Sequence, residues 1–254
     1  MKTEVLYGIH PVSESLRAGR RRIFEIYLAA GGHSPRAEAL RQAAADRGLP
    51  LRILTAGQLT ALAGTESHQG VAAKVSAFVG EELSAVLSPP SGSGPDLILA
   101  LDLVQDPHNL GAILRTALCA GVQAVLMPRD RSAPPTPAVS RISAGALEHT
   151  RLVTVTNLVR SLELAKQRRL WVVGLDPDAR QPVYALDGSL PLVVVVGGEG
   201  RGIRPLVRRS CDILVAIPQA GPLDSLNASV AAAVALYEIV RQRRAGMTDG
   251  HRRR

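Results

Sequence analysis

Short apolar runs alternate with segments of helical periodicity through the first 79 residues of the chain. The apolar or alternating runs predict strands at 5–7, 23–28, 51–54 and 71–78. Apolar residues spaced three and four positions apart predict helices at 11–18, 35–47 and 57–63. This part of the chain is therefore interpreted as a small α/β module.

The same alternation continues on a larger scale from residue 97. The predicted strands, rich in Val, Ile and Leu, are 97–101, 124–127, 152–155, 171–175, 192–196 and 213–217. The predicted helices are 109–120, 139–147, 158–168 and 227–241. Continuous apolar strands alternating with helices favour an α/β fold with a mostly parallel sheet covered by helices on both faces. Ligands of such sheets bind beyond the carboxyl ends of the strands, so we expect a site in the loops after Val196 and Ile217.

A stretch rich in Gly, Ser and Pro, residues 88–95, separates the two patterns. This composition disfavours both a helix and a central strand. We therefore predict a linker at 80–95 between a domain at 1–79 and a larger domain at 96–244, followed by a basic tail at 245–254. A chain of 254 residues that is 46% hydrophobic is long enough for two such cores.

The positive charge of the chain is concentrated at its two ends. Residues 1–79 contain 10 Lys and Arg against 6 Asp and Glu, and residues 241–254 contain 6 Arg against 1 Asp. The middle of the chain is nearly neutral. Basic ends on a neutral body favour a polyanionic partner such as nucleic acid, and a merely solvated basic surface is the alternative.

Two further observations narrow the class of protein. No run approaches the ~20 apolar residues that a membrane span needs, and the first residues lack the apolar segment of a signal peptide. We therefore expect a cytoplasmic protein with no membrane partner. The two cysteines, Cys119 and Cys211, form no metal-like cluster, so we expect reduced thiols and no metal.

The first candidate for a functional site is the loop 197–202, which follows an apolar strand and contains four glycines among its six residues. A dinucleotide fingerprint is excluded because, counting from Gly198 or Gly200, the sixth position is not glycine. A Walker loop is excluded because no Gly-Lys-Ser/Thr follows. The loop therefore binds a nucleoside-like ligand in another way, or it is only a tight turn. Glu199 favours binding, because a carboxylate there could hold a hydroxyl or a cation, although it could instead cap a helix at 205–209.

The second candidate is the segment 217–231. The strand before it runs into Pro218, which cannot donate a ladder hydrogen bond and so marks its end. A loop containing Gly221 follows, and Ser225 or Asn227 is a suitable N-cap for the long helix after it. Exposed backbone groups of this loop could also read the edge of an adenine.

The third candidate is the turn at 106–109 and the helix that follows it. Arg115 lies in an otherwise apolar stretch of this helix, and burying a lone guanidinium is costly, so we expect it to meet an anion. That anion is Asp102 or Asp106 in the structural interpretation, and a phosphate or a reacting oxygen in the functional one. His108 is interpreted as a turn residue.

Together the three blocks resemble the SpoU-type RNA 2'-O-ribose methyltransferases, a branch of the SPOUT class. The blocks are NLGAILR at 109–115, GEGRG at 198–202, and IPQAG at 217–221 together with SLNASVA at 225–231. Further blocks are similar to the members that methylate a guanosine of 23S ribosomal RNA, and they lie at 7–12, 68–72, 129–132 and 143–146. The resemblance covers nearly the whole chain except the linker and the end of the tail.

This resemblance implies a ribosomal-protein-like RNA-binding domain before the linker and a trefoil knot after it. It also implies a homodimer, S-adenosyl-L-methionine as methyl donor and structured RNA, specifically ribosomal RNA, as partner. By the family pattern, the donor is held through the backbone of Gly197, Ile217 and Leu226. The other loop positions expected at the donor are Gly198, Glu199, Gly202, Pro218, Gln219 and Gly221. Gln219 replaces a usual Met and Ala228 a usual Val, and neither change removes a proposed catalytic group.

The residues that the family pattern assigns to catalysis or site geometry are Asn109, Arg115, Glu199, Ser225 and Asn227. Family proposals make the arginine a base, yet a guanidinium holds its proton too tightly for that role. We expect Arg115 to bind the 3'-side phosphate and stabilise the developing oxyanion, while Ser225 or the phosphate relays the proton. The alternatives are a tRNA methyltransferase, a resistance-type adenosine methyltransferase, or a catalytically silent RNA-binding or ribosome-assembly protein. A content of 3% aromatic residues favours recognition of RNA shape and phosphates over base stacking.

Overall fold

The computed structural model describes residues 2–31, 34–87 and 96–251, with side chains up to residue 246. The chain forms two compact units. The first comprises Met1–Val79 and Pro134–His149, and the second comprises Gly80–Ala133 and Thr150–Arg254. The sequence pattern places residues 134–149 in the larger domain, so the structure differs from that expectation at this segment.

The elements alternate along the chain much as the apolar pattern predicts. The strands are β1 (Thr3–Tyr7), β2 (Ile23–Ala29), β3 (Leu51–Leu54), β4 (Val71–Ser76), β5 (Leu97–Asp102), β6 (Ala124–Pro128), β7 (Leu152–Val155), β8 (Trp171–Leu175), β9 (Gln181–Pro182), β10 (Leu192–Gly197) and β11 (Ile213–Ala216). The helices are α1 (Ile9–Ala18), α2 (Pro35–Asp46), α3 (Ala56–Ala63), α4 (Leu83–Val86), α5 (Pro107–Cys119), α6 (Pro137–Ile142), α7 (Ala146–His149), α8 (Leu158–Gln167), α9 (Pro205–Arg209) and α10 (Ala228–His251).

The first unit contains a four-stranded sheet in the order β1-β4-β2-β3. Strand β4 pairs antiparallel with both β1 and β2, and β3 pairs parallel with β2. The core of this unit is aliphatic, and its fully buried side chains include Leu6, Val12, Ile26, Val71 and Val75. These residues come from the sheet and from α1, so the strands and this helix depend on one another for burial.

The segment Pro134–His149 is held within the first unit by buried charges. Arg21 Nε lies 2.8 Å from Glu148 Oε2, and Arg21 Nη1 lies 2.7 Å from Glu4 Oε2. The hydroxyl of Ser140 donates to Glu148 Oε1 at 2.8 Å. Glu148 is 1% exposed. A buried charge without a partner is strongly destabilising, so this group of side chains specifies where the segment packs.

The helix predicted at 139–147 is interrupted in the structure. Residues 143–145 separate α6 from α7, because Ala144 and Gly145 adopt positive φ angles of 52° and 86°. A Cβ on Gly145 would lie 2.7 Å from Glu14 Cβ on α1. The chain turns sharply here to pack against α1, a constraint that periodicity along one segment does not reveal.

The second unit contains a seven-stranded sheet in the order β7-β6-β5-β10-β8-β11-β9, in which the neighbouring strands are parallel. Ile98, Val193 and Val195 pack in one buried cluster with Leu162 of α8. Alternate residues such as Val194 point to the opposite face and are equally buried, so both faces are covered. The predicted α/β fold with a mostly parallel sheet is confirmed. The strand order does not show whether the chain is knotted, so the trefoil knot stays a prediction.

The predicted linker and tail are described only in part. Residues 88–95 of the linker and 252–254 of the tail lie outside the described residues. The preceding part of the tail continues α10, which extends to His251. Within the described ranges, no helix combines the length and apolar character that a membrane span requires.

The buried carboxylate of Glu148 gives the first unit a pH-dependent stability. Burial raises the pKa of Glu148 above its ordinary value of 4.5, and this outweighs the opposite effect of Arg21. The folded state therefore favours the protonated carboxyl, a preference that is fully present below pH 4.5 and lost as the pH rises through the raised pKa. Relative to the variant Glu148→Gln, the wild type should become progressively less stable as the pH rises above 4.5 and through the raised pKa.

Amide hydrogen exchange of β1 and β4 measures this difference within the first unit. Glu38→Gln on the exposed surface of α2 serves as the matched control. A stability difference between wild type and Glu148→Gln that stays constant with pH would contradict the assignment.

Candidate active site

The order of the strands brings two distant loops to one place. Strand β10 lies between β5 and β8, and β11 lies on the far side of β8. The loops that follow β10 and β11 therefore meet beyond the carboxyl end of β8. They enclose a cavity of about 660 Å³, within the range of roughly 300–1,000 Å³ typical of small-molecule sites.

Most of the residues predicted at a donor site line this cavity. The loop after β10 contributes Gly197, Gly198, Glu199 and Gly202. The segment after β11 contributes Ile217, Gln219, Ser225, Leu226 and Asn227. Pro218 and Gly221 instead line an adjoining cavity of about 590 Å³, which shares Ile217 and Gln219 with the first.

Close backbone packing explains the glycines of the loop after β10. A Cβ on Gly197 would lie 2.1 Å from the carbonyl carbon of Gly202, and a Cβ on Gly198 would lie 2.1 Å from the carbonyl oxygen of Leu103. The N–H of Gly202 donates to the carbonyl of Gly198 at 3.2 Å. The loop is thus both a tight turn and a wall of the cavity, so the two interpretations of the sequence do not exclude each other.

An ion pair with a buried carboxylate fastens this loop to the neighbouring strand. Asp102, at the end of β5, is fully buried. Its carboxylate accepts hydrogen bonds from the backbone N–H of Arg204 and from Arg204 Nε, both at 2.8 Å, and Arg204 Nη2 lies 2.6 Å away. The carbonyl of Asp102 accepts from the N–H of Gly198 at 2.8 Å. Sequence reasoning did not single out Arg204, because nothing local pairs it with a residue 102 positions away.

Three of the predicted catalytic residues form one hydrogen-bond network. The amide of Asn109, in the first turn of α5, donates to Glu199 Oε1. The amide of Asn227 donates to Asn109 Oδ1 at 3.0 Å. The oxygen of Asn227 also accepts from the N–H of Ser229 at 2.9 Å, so Asn227 caps α10 as the sequence predicts. This network orients the carboxylate of Glu199, which also lines the cavity.

Arg115 lies away from this network. It is exposed on α5, it does not line the cavity, and it makes no hydrogen bond or ion pair within the described part of the chain. Of the two interpretations of Arg115, the structural one, an ion pair with Asp102 or Asp106, is therefore wrong. Asp102 is paired with Arg204, and Asp106 accepts from the N–H of His108 at 2.9 Å as the N-cap of α5.

The end of β8 adds an acidic wall that sequence reasoning missed. Asp176 and Asp178 line the cavity, and Asp224 joins them from the opposite loop. The guanidinium of Arg208 pairs with Asp176, which raises the pKa of Arg208 above its ordinary value. With Glu199, the cavity has more carboxylates than guanidiniums, which suits a cationic ligand. The sequence motif that could have indicated this wall is the Asp-Pro-Asp after the predicted strand 171–175. Only the strand order, however, places this motif between the two loops.

Comparison with known proteins assigns the chain to a family. The profile of the SpoU rRNA Methylase family matches residues 96–237, and that of the RNA 2'-O ribose methyltransferase substrate-binding domain matches residues 5–78. The chain belongs to the SpoU rRNA methylase family. Among the SpoU relatives, the 23S rRNA (guanosine-2'-O-)-methyltransferase RlmB of Pseudomonas aeruginosa is 46% identical over 242 residues, which are 94% of this chain and 97% of the relative. RlmB of Ralstonia nicotianae is 43% identical over 243 residues, 95% of this chain and 97% of the relative.

Solved structures of SpoU-type proteins share the fold. A crystal structure of an RNA 2'-O ribose methyltransferase has a TM-score of 0.81 and 28% identity, covering 95% of this chain and 89% of that one. The SpoU methyltransferase AviRb from Streptomyces viridochromogenes, solved in complex with the cofactor AdoMet, has a TM-score of 0.80 and 24% identity. It covers 96% of this chain and 91% of that one.

The close contact at Gly198 predicts a position that tolerates no side chain. In Gly198→Ala the new methyl group would meet backbone rather than a movable side chain, so we expect the second unit to lose about 3 kcal/mol of stability. Gly221→Ala is the matched control, because a Cβ there meets nothing within 4 Å, and its effect should be about 0.5 kcal/mol or less. Urea unfolding followed by the fluorescence of Trp171, the single tryptophan of the chain, reports on this unit. Equal stability losses in the two variants would contradict the packing argument.

Proposed function

We propose that this protein transfers the methyl group of S-adenosyl-L-methionine to the 2'-hydroxyl of a guanosine in 23S ribosomal RNA. The observation that carries the proposal is the cavity between the two family loops, with the network of Asn109, Glu199 and Asn227 at its wall. The names of relatives up to 46% identical over nearly the whole chain support the guanosine and the RNA.

The cavity fits the donor in size and in chemistry. S-adenosyl-L-methionine supplies a methyl group that is already activated on a cationic sulfonium. Apolar residues such as Ile217 and Leu226 would hold its uncharged parts, and the carboxylates of Asp178 and Asp224 suit its positive charge. The backbone packing at Gly197 and Gly198 leaves a smooth wall against which a nucleoside can lie.

The residues of the site orient the acceptor ribose and transfer the proton of its 2'-hydroxyl. Asn109 donates a hydrogen bond to one oxygen of Glu199. Within the described residues the other oxygen makes no hydrogen bond, so it can accept one from a ribose hydroxyl. Ser225 lines the same cavity and is exposed, so its hydroxyl can relay the proton of the ribose hydroxyl to solvent. Arg115 is exposed, and its forked guanidinium can bind the phosphate on the 3' side of the acceptor. Positioning and electrostatic stabilisation together account for this chemistry without a strong base.

The proposal includes a homodimer that acts in the cytoplasm, where a ribosomal RNA substrate is found. Exposed apolar side chains on two packed helices support a homodimer, namely Leu118 on α5 and Val230 and Tyr237 on α10. Large apolar side chains grouped on one surface mark association sites. A mass in solution equal to that of one chain, 26.9 kDa, would contradict the homodimer.

Mapping of 2'-O-methyl groups tests the reaction directly. An unmodified transcript of 23S ribosomal RNA is incubated with the protein, with and without S-adenosyl-L-methionine. We expect one guanosine to become methylated only when the donor is present. Methylation of an adenosine, or of tRNA alone, would overturn the proposal in favour of another methyltransferase. Donor and RNA binding without methylation would favour a silent RNA-binding protein.

Arg115→Lys tests the role of the exposed arginine. Lysine keeps the charge but loses the forked geometry that binds phosphate, so the single-turnover rate should fall by about 100-fold. The affinity for the donor should not change, because Arg115 does not line the donor cavity. Arg168→Lys, at another exposed arginine, is the control. A near-normal rate in Arg115→Lys would contradict both the phosphate-binding and the oxyanion-stabilising role.

A further inference from the structure

The loop after β6, residues 129–133, displays charges that the proposed chemistry leaves unused. Strand β6 is buried along its whole length, whereas Arg129, Asp130 and Arg131 after it are exposed. Within the described residues, neither guanidinium makes a hydrogen bond or an ion pair. We call residues 129–133 the β6 loop.

The β6 loop is fixed at both ends. The N–H of Arg129 donates to the carbonyl of Val155 on β7 at 2.8 Å, and the N–H of Ala133 donates to the carbonyl of Val104 at 2.9 Å. Arg131 is held at a φ of 55°, a conformation that residues other than glycine adopt at an energetic cost. Two arginines are thus displayed from a shaped and anchored turn.

The β6 loop lies at the same edge of the sheet as the donor cavity. Gly197 is paired with Asp102, and the pairing of Ala100 with Leu126 places Pro128 in the same row across the sheet. Neighbouring strands are spaced by about 4.8 Å, and two spacings separate β6 from β10. Pro128 therefore lies roughly 10 Å from the loop 197–202, called the glycine loop below, at the same edge of the sheet. A third exposed arginine, Arg160, has no ion pair within the described residues. It lies one strand further along this edge, in the first turn of α8 after β7.

We propose that Arg129 and Arg131 bind phosphates of the RNA backbone beside the target nucleotide, and that Arg160 extends this contact past β7. The inference rests on the proposed function, in which RNA is the acceptor. Guanidiniums bind phosphate oxygens through paired hydrogen bonds, and here no carboxylate competes through an ion pair. The cavity on the other side of β5 is acidic, so a polyanion is directed towards β6 and β7. RNA therefore runs from the donor cavity across β5 and β6.

The dependence of RNA affinity on salt distinguishes this contact from a structural role. Each phosphate contact that is lost lowers the slope of log affinity against log salt by about one. The double variant Arg129→Gln/Arg131→Gln should lower the slope for an unmodified 23S transcript by about two and weaken binding about tenfold. Its KM for RNA should rise, while its rate at saturating RNA and its donor affinity stay those of the wild type.

The matched control is Arg168→Gln/Arg169→Gln at the opposite edge of the sheet. Both arginines are exposed and without an ion pair in the described structure, and Arg169 also has a positive φ, of 64°. This control should keep the wild-type slope. Replacing Arg129 and Arg131 by lysines should restore the slope, because lysine also neutralises a phosphate.

Asp130 provides a test of opposite sign. It lies exposed between the two arginines, so Asp130→Asn should strengthen RNA binding if the loop faces RNA. An unchanged slope in the double glutamine variant, or an equal loss in the control, would overturn the inference. If the wild type binds the transcript without methylating it, the proposed function fails, while the slopes still decide whether the β6 loop contacts RNA.

Discussion

The candidate active site depends on one buried carboxylate at the end of a central strand. Asp102 accepts hydrogen bonds from the backbone and the guanidinium of Arg204, and its carbonyl accepts from Gly198. These bonds tie both ends of the glycine loop to β5. An unpaired carboxylate at this depth would cost several kcal/mol, so the buried Asp102 depends on the partly exposed Arg204 as its partner. Glu199 lies between the two attachment points, and its position in the cavity wall follows from them.

The absence of a Cβ at Gly197 and Gly198 then allows three distant segments to converge. Gly198 approaches the turn after β5 so closely that no Cβ fits, which leaves the first turn of α5 beside the loop. Asn109 can therefore reach Glu199 on one side and Asn227 on the other. Asn227 also caps α10, so the network that orients the carboxylate is anchored to the start of the longest helix.

Charge divides the carboxyl edge of the sheet into two regions. The cavity between β10 and β11 is lined by carboxylates, which suits a cationic methyl donor. The loops after β6 and β7 display arginines that have no ion pair in the described part of the chain, which suits a polyanion. Two substrates of opposite charge can thus lie side by side at one edge, with the reacting groups meeting near the glycine loop.

The periodicity of the sequence by itself determined the elements and the loops of the site. Most strands and helices lie within one or two residues of their predicted bounds, because apolar spacing is a local property that the core enforces. The glycines after Val196 and the cap at Asn227 could also be identified from the sequence, because a turn and a helix cap depend on the residue types at a few neighbouring positions. The family motifs then indicated the activity, which no spacing alone would have shown.

Tertiary structure decided what depends on strand order and on distant packing. The pairing of Asp102 with Arg204 and the acidic wall from β8 require that β10 lie between β5 and β8. The exposure of Arg115 depends on which face of α5 is covered, and the attachment of residues 134–149 depends on a charge 127 positions before Glu148, on Arg21. Each of these joins residues far apart in the chain, and a local pattern contains no information about the partner across the fold.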